Sequence, residues 1–88
     1  MALFAVSYQL NNTKDYPKLW TEMERLGAHK AMRSFYLMSL TNSTASSVRD
    51  HLKGYVDDDD MIFVARMDEK PASHKCYTGT IKWIEDHF

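Results

Sequence analysis

The chain has 88 residues, enough for one domain and too few for a two-domain enzyme with a cleft between its domains. Aromatic residues make up 12% and there are six methionines, so the composition predicts a packed core rather than disorder. Eleven basic and twelve acidic residues give a formal net charge of -1, without the positive excess on which non-specific binding to nucleic acid depends.

The single cysteine, Cys76, cannot form an internal disulfide and favours a reducing compartment. The N-terminus has neither the basic region nor the small-residue cleavage site of a signal peptide. No run approaches the ~20 apolar residues that span a bilayer. We therefore expect a cytoplasmic protein that does not contact a membrane.

The first predicted element is a strand over residues 2–10. Phe4, Val6 and Tyr8 share one face, and the opposite face is also uncharged, which is typical of a strand inside a sheet. A helix is expected next, with Asp15 as its N-cap and Gly27 as a left-handed cap at its end. Its apolar stripe recurs every three or four residues and consists of Tyr16, Leu19, Trp20, Met23 and Leu26.

Residues 28–40 are too long for one average strand. We predict two strands joined by a bend near residues 32–34, with the second strand over residues 35–40; one long bent strand is the alternative. A second helix follows the turn at residues 41–44, with Val48 and Leu52 on its apolar face.

The run at residues 61–67 has apolar residues at almost every position and predicts another interior strand. A short C-terminal helix is expected from about Thr78, with Thr78 or Thr80 as its cap. Whether residues 74–77 form a brief strand before it is left open by periodicity.

The order of these elements predicts one α+β domain. Strand, helix, strand, strand, helix, strand is the ferredoxin-like split βαβ (βαββαβ) pattern, an antiparallel sheet with two helices on one face. The core would span residues 2–67, and residues 68–88 would add the short C-terminal helix. The second face of the sheet would meet a partner, bind a ligand or carry that helix.

Three stretches of the sequence resemble a known family. They are residues 4–10 (FAVSYQL), residues 33–37 (RSFYL) and the acidic turn at residues 57–60 with the strand MIFV after it. Together they are similar to the small CRISPR-associated adaptation nucleases of the Cas-two type, and more distantly to the VapD-type toxin ribonucleases. The resemblance covers roughly residues 2–67 and implies the ferredoxin-like fold.

The resemblance also implies where catalysis would reside. Members that are metal-dependent nucleases carry an aspartate after a tyrosine near the end of the first strand. Here Tyr8 matches the tyrosine, but Gln9 stands in the place of the aspartate. A neutral amide is a poor ligand for Mg²⁺ and cannot act as a general base. We therefore expect no catalytic residue at this place and no cofactor, with Mg²⁺ or Mn²⁺ required only if the protein is a nuclease.

The acidic run at residues 57–60 is the other place where a metal could bind, through Asp59 and Asp60. Four consecutive carboxylates point in different directions, and no glycine or distant glutamate completes a calcium-binding loop. A solvated acidic turn that caps the preceding helix is the expectation here.

The positive residues form small local patches, one in the region of the predicted hairpin and first loop and one on the second helix. The candidates for contact with nucleic acid are Lys14, Lys18, Lys30, Arg33, Arg49 and Lys53. The third strand lacks the aromatic motif of an RNA-recognition domain, so that way of binding RNA is not expected.

Three functions are compatible with these observations. The first is a non-catalytic homodimeric module that binds a protein or a nucleic-acid backbone. The second is a metal-dependent endoribonuclease or toxin of the same fold that uses another acidic group in place of position 9. The third is an accessory or regulatory protein that binds a host protein.

Overall fold

The computed structural model of the protein describes residues 2–11 and 16–88. Over these residues the chain forms four strands and three helices. The elements are β1 (Ala2–Gln9), α1 (Tyr16–Arg25), β2 (His29–Met32), β3 (Phe35–Leu40), α2 (Ala45–Lys53), β4 (Met61–Arg66) and α3 (Thr80–His87). No helix within the described ranges is long and apolar enough to cross a membrane.

The strands form an antiparallel sheet in the order β2-β3-β1-β4. This is the strand order of the ferredoxin-like split βαβ fold, so the α+β prediction is confirmed, together with its short C-terminal helix. β1 lies between β3 and β4, as its uncharged faces predict.

The main core lies between the sheet and the helices α1 and α2. Phe4 and Val6 of β1 are completely buried, and the alternate residues of the strand face the other way. Leu19 of α1 and Leu52 of α2 pack against them without exposed surface. Because burying such a side chain contributes about 1.5–3 kcal/mol, this face holds most of the apolar stabilisation.

The helix ends follow their local sequence. Gly27, just after α1, has a φ of 76°, which suits a residue without a side chain and confirms the predicted left-handed end. Thr44 begins α2, and its hydroxyl and that of Ser47 form a reciprocal capping box. The predicted N-cap of α1, Asp15, lies outside the described residues.

The predicted hairpin is present, and one long bent strand is ruled out. Arg33 and Ser34 form the turn between β2 and β3, although no Gly or Pro marks it. The pairing between the two strands shifts between Lys30 and Met32, which leaves Ala31 as a bulge. A bulge adds local twist, and it lets ordinary residues close a hairpin that otherwise favours glycine.

The prediction of an interior position for β4 is wrong. β4 pairs only with β1 within the described part of the chain and forms one edge of the sheet. Ile62 and Val64 face the helices and are partly buried, whereas Met61 and Phe63 on the other face are 62% and 70% exposed. The apolar residues on the second face of β4 therefore form an exposed apolar surface, and they do not indicate that β4 lies between two other strands.

Helix α3 covers part of the second face of the sheet. Ile84 is buried against Ala31 and Leu37, and Trp83 packs on the same cluster. The helix starts after Gly79, which has a φ of 94°, so the prediction of Thr78 or Thr80 as its cap is wrong. No strand is formed at residues 74–77.

Thr80 joins α3 to the sheet instead. Thr80 is 2% exposed, and its hydroxyl donates to the carbonyl of Tyr77 at 2.7 Å and lies 2.8 Å from Nε2 of His29. Since the hydroxyl proton is already used, Nε2 of His29 carries the proton and donates. Burial of the imidazole lowers the pKa of His29.

Glu22 is buried, although its place beside the apolar stripe of α1 predicts an exposed side chain. It is 4% exposed, and its carboxylate accepts hydrogen bonds from Nε and Nη2 of Arg25 at 2.7 and 2.6 Å. Nε2 of His51 on α2 donates a third bond. These bonds, led by those of Arg25, hold the pKa of Glu22 at about 2. The carboxylate therefore joins α1 to α2.

Candidate functional site

The described residues form an open groove of about 560 Å³, which we call the aromatic groove. Its size is within the range of about 300–1,000 Å³ that is usual for ligand sites. The lining consists of three rings (Tyr16, Trp20 and Tyr77), two cations (Lys30 and Arg33), and Pro17 and Ser34.

Three separate segments build the aromatic groove. Tyr16 and Trp20 are one helical turn apart at the start of α1, with ring centroids 5.7 Å apart. Lys30 comes from β2, and Arg33 from the turn after it. Tyr77 precedes α3 and is held in place because its backbone N–H donates to the carbonyl of Ala31 at 2.9 Å.

Trp20 forms the floor of the groove and is held in place by a hydrogen bond to Tyr8. The indole N–H of Trp20 donates to the hydroxyl of Tyr8 at 2.6 Å, and that hydroxyl lies 3.4 Å from the carbonyl of Arg33. Tyr8 is 4% exposed, and burial raises its pKa to about 12. Its phenol therefore stays neutral near pH 7 and serves as a structural group, not as a general base.

The two cations of the groove differ in environment. The ammonium of Lys30 lies 3.9 Å from the centroid of the Trp20 ring, a cation–π contact that positions the charge over the floor. Arg33 is exposed at the rim. In residues 2–11 and 16–88, neither cation has a carboxylate oxygen within 4.0 Å. Their charge is therefore available to an anionic ligand.

The other predicted cations do not join this site. Arg49 and Lys53 line a separate cleft of about 130 Å³, and its other walls include Asp57, Asp58 and Asp60. Arg49 also pairs with its neighbour in sequence, Asp50, at 2.8 Å. These two positive charges therefore face carboxylates, which weakens the case for phosphate binding there.

The remaining two candidates are Lys18 and Lys14. Lys18 is exposed on the helix but does not line the groove. Lys14 lies outside the described residues. Of the six cations predicted from the sequence, the structure thus brings Lys30 and Arg33 together in one site.

The end of β1 separates the two residues singled out there. Tyr8 points into the core beneath the aromatic groove, whereas Gln9 is exposed on the opposite face, across from Met61 of β4. The alternation of side chains along a strand dictates this separation. A carboxylate at position 9 would therefore face away from the groove.

The acidic run forms a turn held by one of its own side chains. The carboxylate of Asp60 accepts from the backbone N–H groups of Asp57 and Asn11, at 2.8 and 2.7 Å. The side chain of Asn11 donates to the carbonyl of Asp59 at 3.0 Å. The turn thus fixes the end of β1, and α2 is capped by Gly54 rather than by these aspartates. No group of three or more metal-ligating side chains occurs among the described residues.

Sequence reasoning did not place Trp20 and Tyr77 at a site. Trp20 belongs to the predicted apolar stripe of α1, and Tyr77 stands in a segment without a periodic pattern. A Trp or Tyr in a globular chain is more often part of the core than of a ligand site, since its ring is largely apolar. One signal was available: Tyr16 and Trp20 are i, i+4 neighbours directly after the predicted first loop.

No protein-family model matches the chain, and no solved structure matches it significantly. The resemblance to CRISPR-associated adaptation nucleases, which was drawn from three short stretches of sequence, therefore stays a prediction.

Proposed function

We propose that the protein is a non-catalytic homodimeric module that binds a single nucleic-acid strand in the aromatic groove. One observation carries this proposal: Lys30 and Arg33, both without a carboxylate partner among the described residues, lie in one groove with three aromatic side chains. Cations that contact phosphates beside rings that stack with bases are the usual components of a single-strand site.

The roles of the individual residues follow from their positions. Arg33 at the rim has the fork of N–H donors that matches a phosphate, while Lys30 supplies a fixed charge over the floor. Tyr77 is 50% exposed and offers a ring face on which a base can stack. One face of Trp20 is occupied by Lys30, so its part is to hold that charge.

A single strand fits this site better than a duplex. A single-stranded base has a free ring face for Tyr77, whereas in a duplex each base is already stacked on its neighbours. The overall charge of -1 disfavours non-specific coating of a duplex, because such binding depends on a broad positive surface. The local pair of cations supports contact with a few phosphates.

The test is binding of a labelled single-stranded RNA and DNA of about twelve nucleotides, a length that covers the usual site size. Fluorescence anisotropy measures affinity, and Lys30→Ala, Arg33→Ala and Tyr77→Ala are compared with the wild type. Loss of one charged hydrogen bond or one stacked base costs about 1–3 kcal/mol, so we expect each variant to bind roughly 5- to 150-fold more weakly.

The matched controls are Arg49→Ala and Lys53→Ala, which remove exposed cations from the separate cleft. They should bind within about twofold of the wild type, because surface charges outside the contact contribute little. If the strand does not bind, or if the control variants lose as much affinity as the groove variants, the proposal fails. A parallel incubation with Mg²⁺, Mn²⁺ or a chelator tests the nuclease alternative, for which cut strands would be the result.

A further inference from the structure

We infer that the outer edge of β4 is a dimer interface, at which β4 pairs antiparallel with β4 of a second copy of this chain. This inference specifies the homodimer of the proposed function, and it concerns a surface apart from the aromatic groove. Dimerisation and strand binding are therefore measured separately, and one can fail while the other holds.

The hydrogen-bonding pattern of the sheet identifies which backbone groups of β4 are free. The N–H of Met67 donates to the carbonyl of Leu3 at 2.7 Å, and the two residues are directly opposite in the β1–β4 register. Hydrogen-bonded pairs recur at every second residue of an antiparallel ladder, so Ala65 and Phe63 also bond to β1.

The even-numbered residues of β4 consequently point their backbone groups outward. The β1–β3 ladder agrees, because Tyr8 donates its N–H to Ser34, which leaves the odd-numbered residues of β1 for β4. Ile62, Val64 and Arg66 form no backbone hydrogen bond to any described residue outside the sheet. The edge thus presents a row of unpaired donors and acceptors, the pattern that accepts another strand.

The side chains of this edge lack the features that usually prevent pairing. Residues 61–65 contain no proline and no charge, and Met61 and Phe63 expose 62% and 70% of their surface. The opposite edge of the sheet differs, since the backbone of Tyr77 already bonds to Ala31 of β2. Of the two edges, β4 is therefore the one prepared for a partner.

The strand is complementary to itself. A two-fold axis through Phe63 pairs this residue with its own copy, and it pairs Ile62 with Val64 of the second copy through the outward backbone groups. Both copies then keep their helices on the same side of one continuous sheet. Phe63 falls in a non-hydrogen-bonded pair, where the Cα atoms approach to about 4.5 Å and the exposed rings cover each other.

Charge favours the same register. Pairing about Phe63 places the carboxylate of Asp60 opposite the guanidinium of Arg66 in the second copy, and two-fold symmetry makes this contact twice. Arg66 already pairs with Asp68 at 3.2 Å, but 58% and 82% of these two side chains are exposed, and an ion pair at the surface contributes little, so Arg66 can exchange this partner for Asp60 of the second copy. A second copy of this chain is thus the partner that the edge fits.

A cysteine cross-link tests this register directly. In a Cys76→Ser background, Phe63→Cys should form a disulfide-linked dimer under mild oxidation, since facing Cα atoms about 4.4–6.8 Å apart suit a disulfide. Met61→Cys is the matched control. In this register the two copies of residue 61 would be four positions apart along the paired strands, roughly 13 Å, which is too far to cross-link. Equal cross-linking of both variants, or none of Phe63→Cys, overturns the inference.

Light scattering tests the assembly without a cross-link. The wild type should be a dimer at micromolar concentration, and Phe63→Lys and Arg66→Glu should each weaken association by at least about tenfold. Ile81→Lys and Lys18→Glu make comparable changes at exposed positions that lie outside β4 and outside the cleft beside Asp60, and they should leave the dimer intact. Circular dichroism confirms that each variant is folded. A monomeric wild type, or β4 variants that dimerise as well as their controls, overturns the inference.

Discussion

The indole N–H of Trp20 and the hydroxyl of Tyr8 form a 2.6 Å hydrogen bond that joins helix α1 to the central strand. Tyr8 also contacts Tyr16 and Tyr36, with ring centroids 6.0 and 6.1 Å away. One buried phenol thus positions the ring that carries the charge of Lys30 in the aromatic groove. The stability of the core and the shape of the site depend on the same side chain.

Tyr8→Phe should destabilise the fold by about 1–3 kcal/mol, because the N–H of Trp20 loses its acceptor in a partly buried place. Urea unfolding followed by circular dichroism measures this change. Tyr77→Phe is the control, since the Tyr77 hydroxyl has no hydrogen bond to a described residue and the ring is half exposed. Equal stability of the wild type and Tyr8→Phe would contradict the assignment of this bond.

Phe4→Ala should cost about 3–5 kcal/mol, because Phe4 is fully buried in the centre of the sheet and its removal leaves a cavity. A loss of this size is a large part of the stability of so small a domain. Ile81→Ala, at a side chain that is 69% exposed, should stay within about 0.5 kcal/mol of the wild type. Both values are obtained from denaturant titrations. A change below 1 kcal/mol for Phe4→Ala, on the order of a surface substitution, would argue against this core.

Glu22 should make the fold sensitive to acid. Its pKa is about 2 in the folded protein against an ordinary value of 4.5, so the unfolded chain takes up the proton first as the pH falls. The stabilisation is therefore complete above pH 4.5 and is lost progressively between 4.5 and 2. Glu22→Gln should be less stable than the wild type at neutral pH, and this difference should disappear at the acid end of the window.

Urea midpoints measured across this pH range provide the check. Glu85→Gln serves as the control, because Glu85 is exposed and its ion pair among the described residues is with Lys70 on the surface. Its midpoints should follow those of the wild type at each pH. A difference between Glu22→Gln and the wild type that stays constant with pH would rule out the carboxylate as the cause.

Salt should weaken binding to the aromatic groove in proportion to the number of phosphates contacted. For a single strand, log K falls with log salt by about 0.7 per phosphate, so the two cations together predict a slope near -1.4. Lys30→Ala should reduce its magnitude by about 0.7, whereas Lys53→Ala should not change it. Anisotropy titrations at several salt concentrations give the slope. A slope of zero would exclude phosphate contacts.

Helices and strands with a clear hydrophobic periodicity were predictable from the sequence. The order of the strands in the sheet was harder to predict. The stripe of α1 and the alternation of β1 are local patterns that burial imposes on neighbouring residues. The edge position of β4 depends on which strand pairs with which, and an exposed apolar side chain such as Phe63 looks the same in the sequence as a buried one. For this reason the sequence pattern predicted an interior position for β4, which is an edge strand.

The site was predictable only in part for the same reason. Lys30 and Arg33 are close in sequence, so the hairpin between them predicted one basic patch. Tyr77 joins them through a long-range contact that no local pattern encodes. The buried carboxylate of Glu22 likewise bonds to His51, which a different helix supplies. The features that could not be predicted, the place of Tyr77 in the groove and the burial of Glu22, thus depend on contacts between segments that are distant in sequence.

The central position of β1 has a consequence for the newly made chain. Phe4 pairs with Met38 on one side and with Arg66 on the other, so both neighbours of this strand are synthesised after it. At the usual ribosomal rate of about 5–20 residues per second, Phe4 waits roughly 3–12 s for Arg66. During that time both apolar faces of β1 lack some of the residues that pack against them in the folded protein. Among the four described strands, β1 is synthesised first, but its pairing is completed only after β4 has been made.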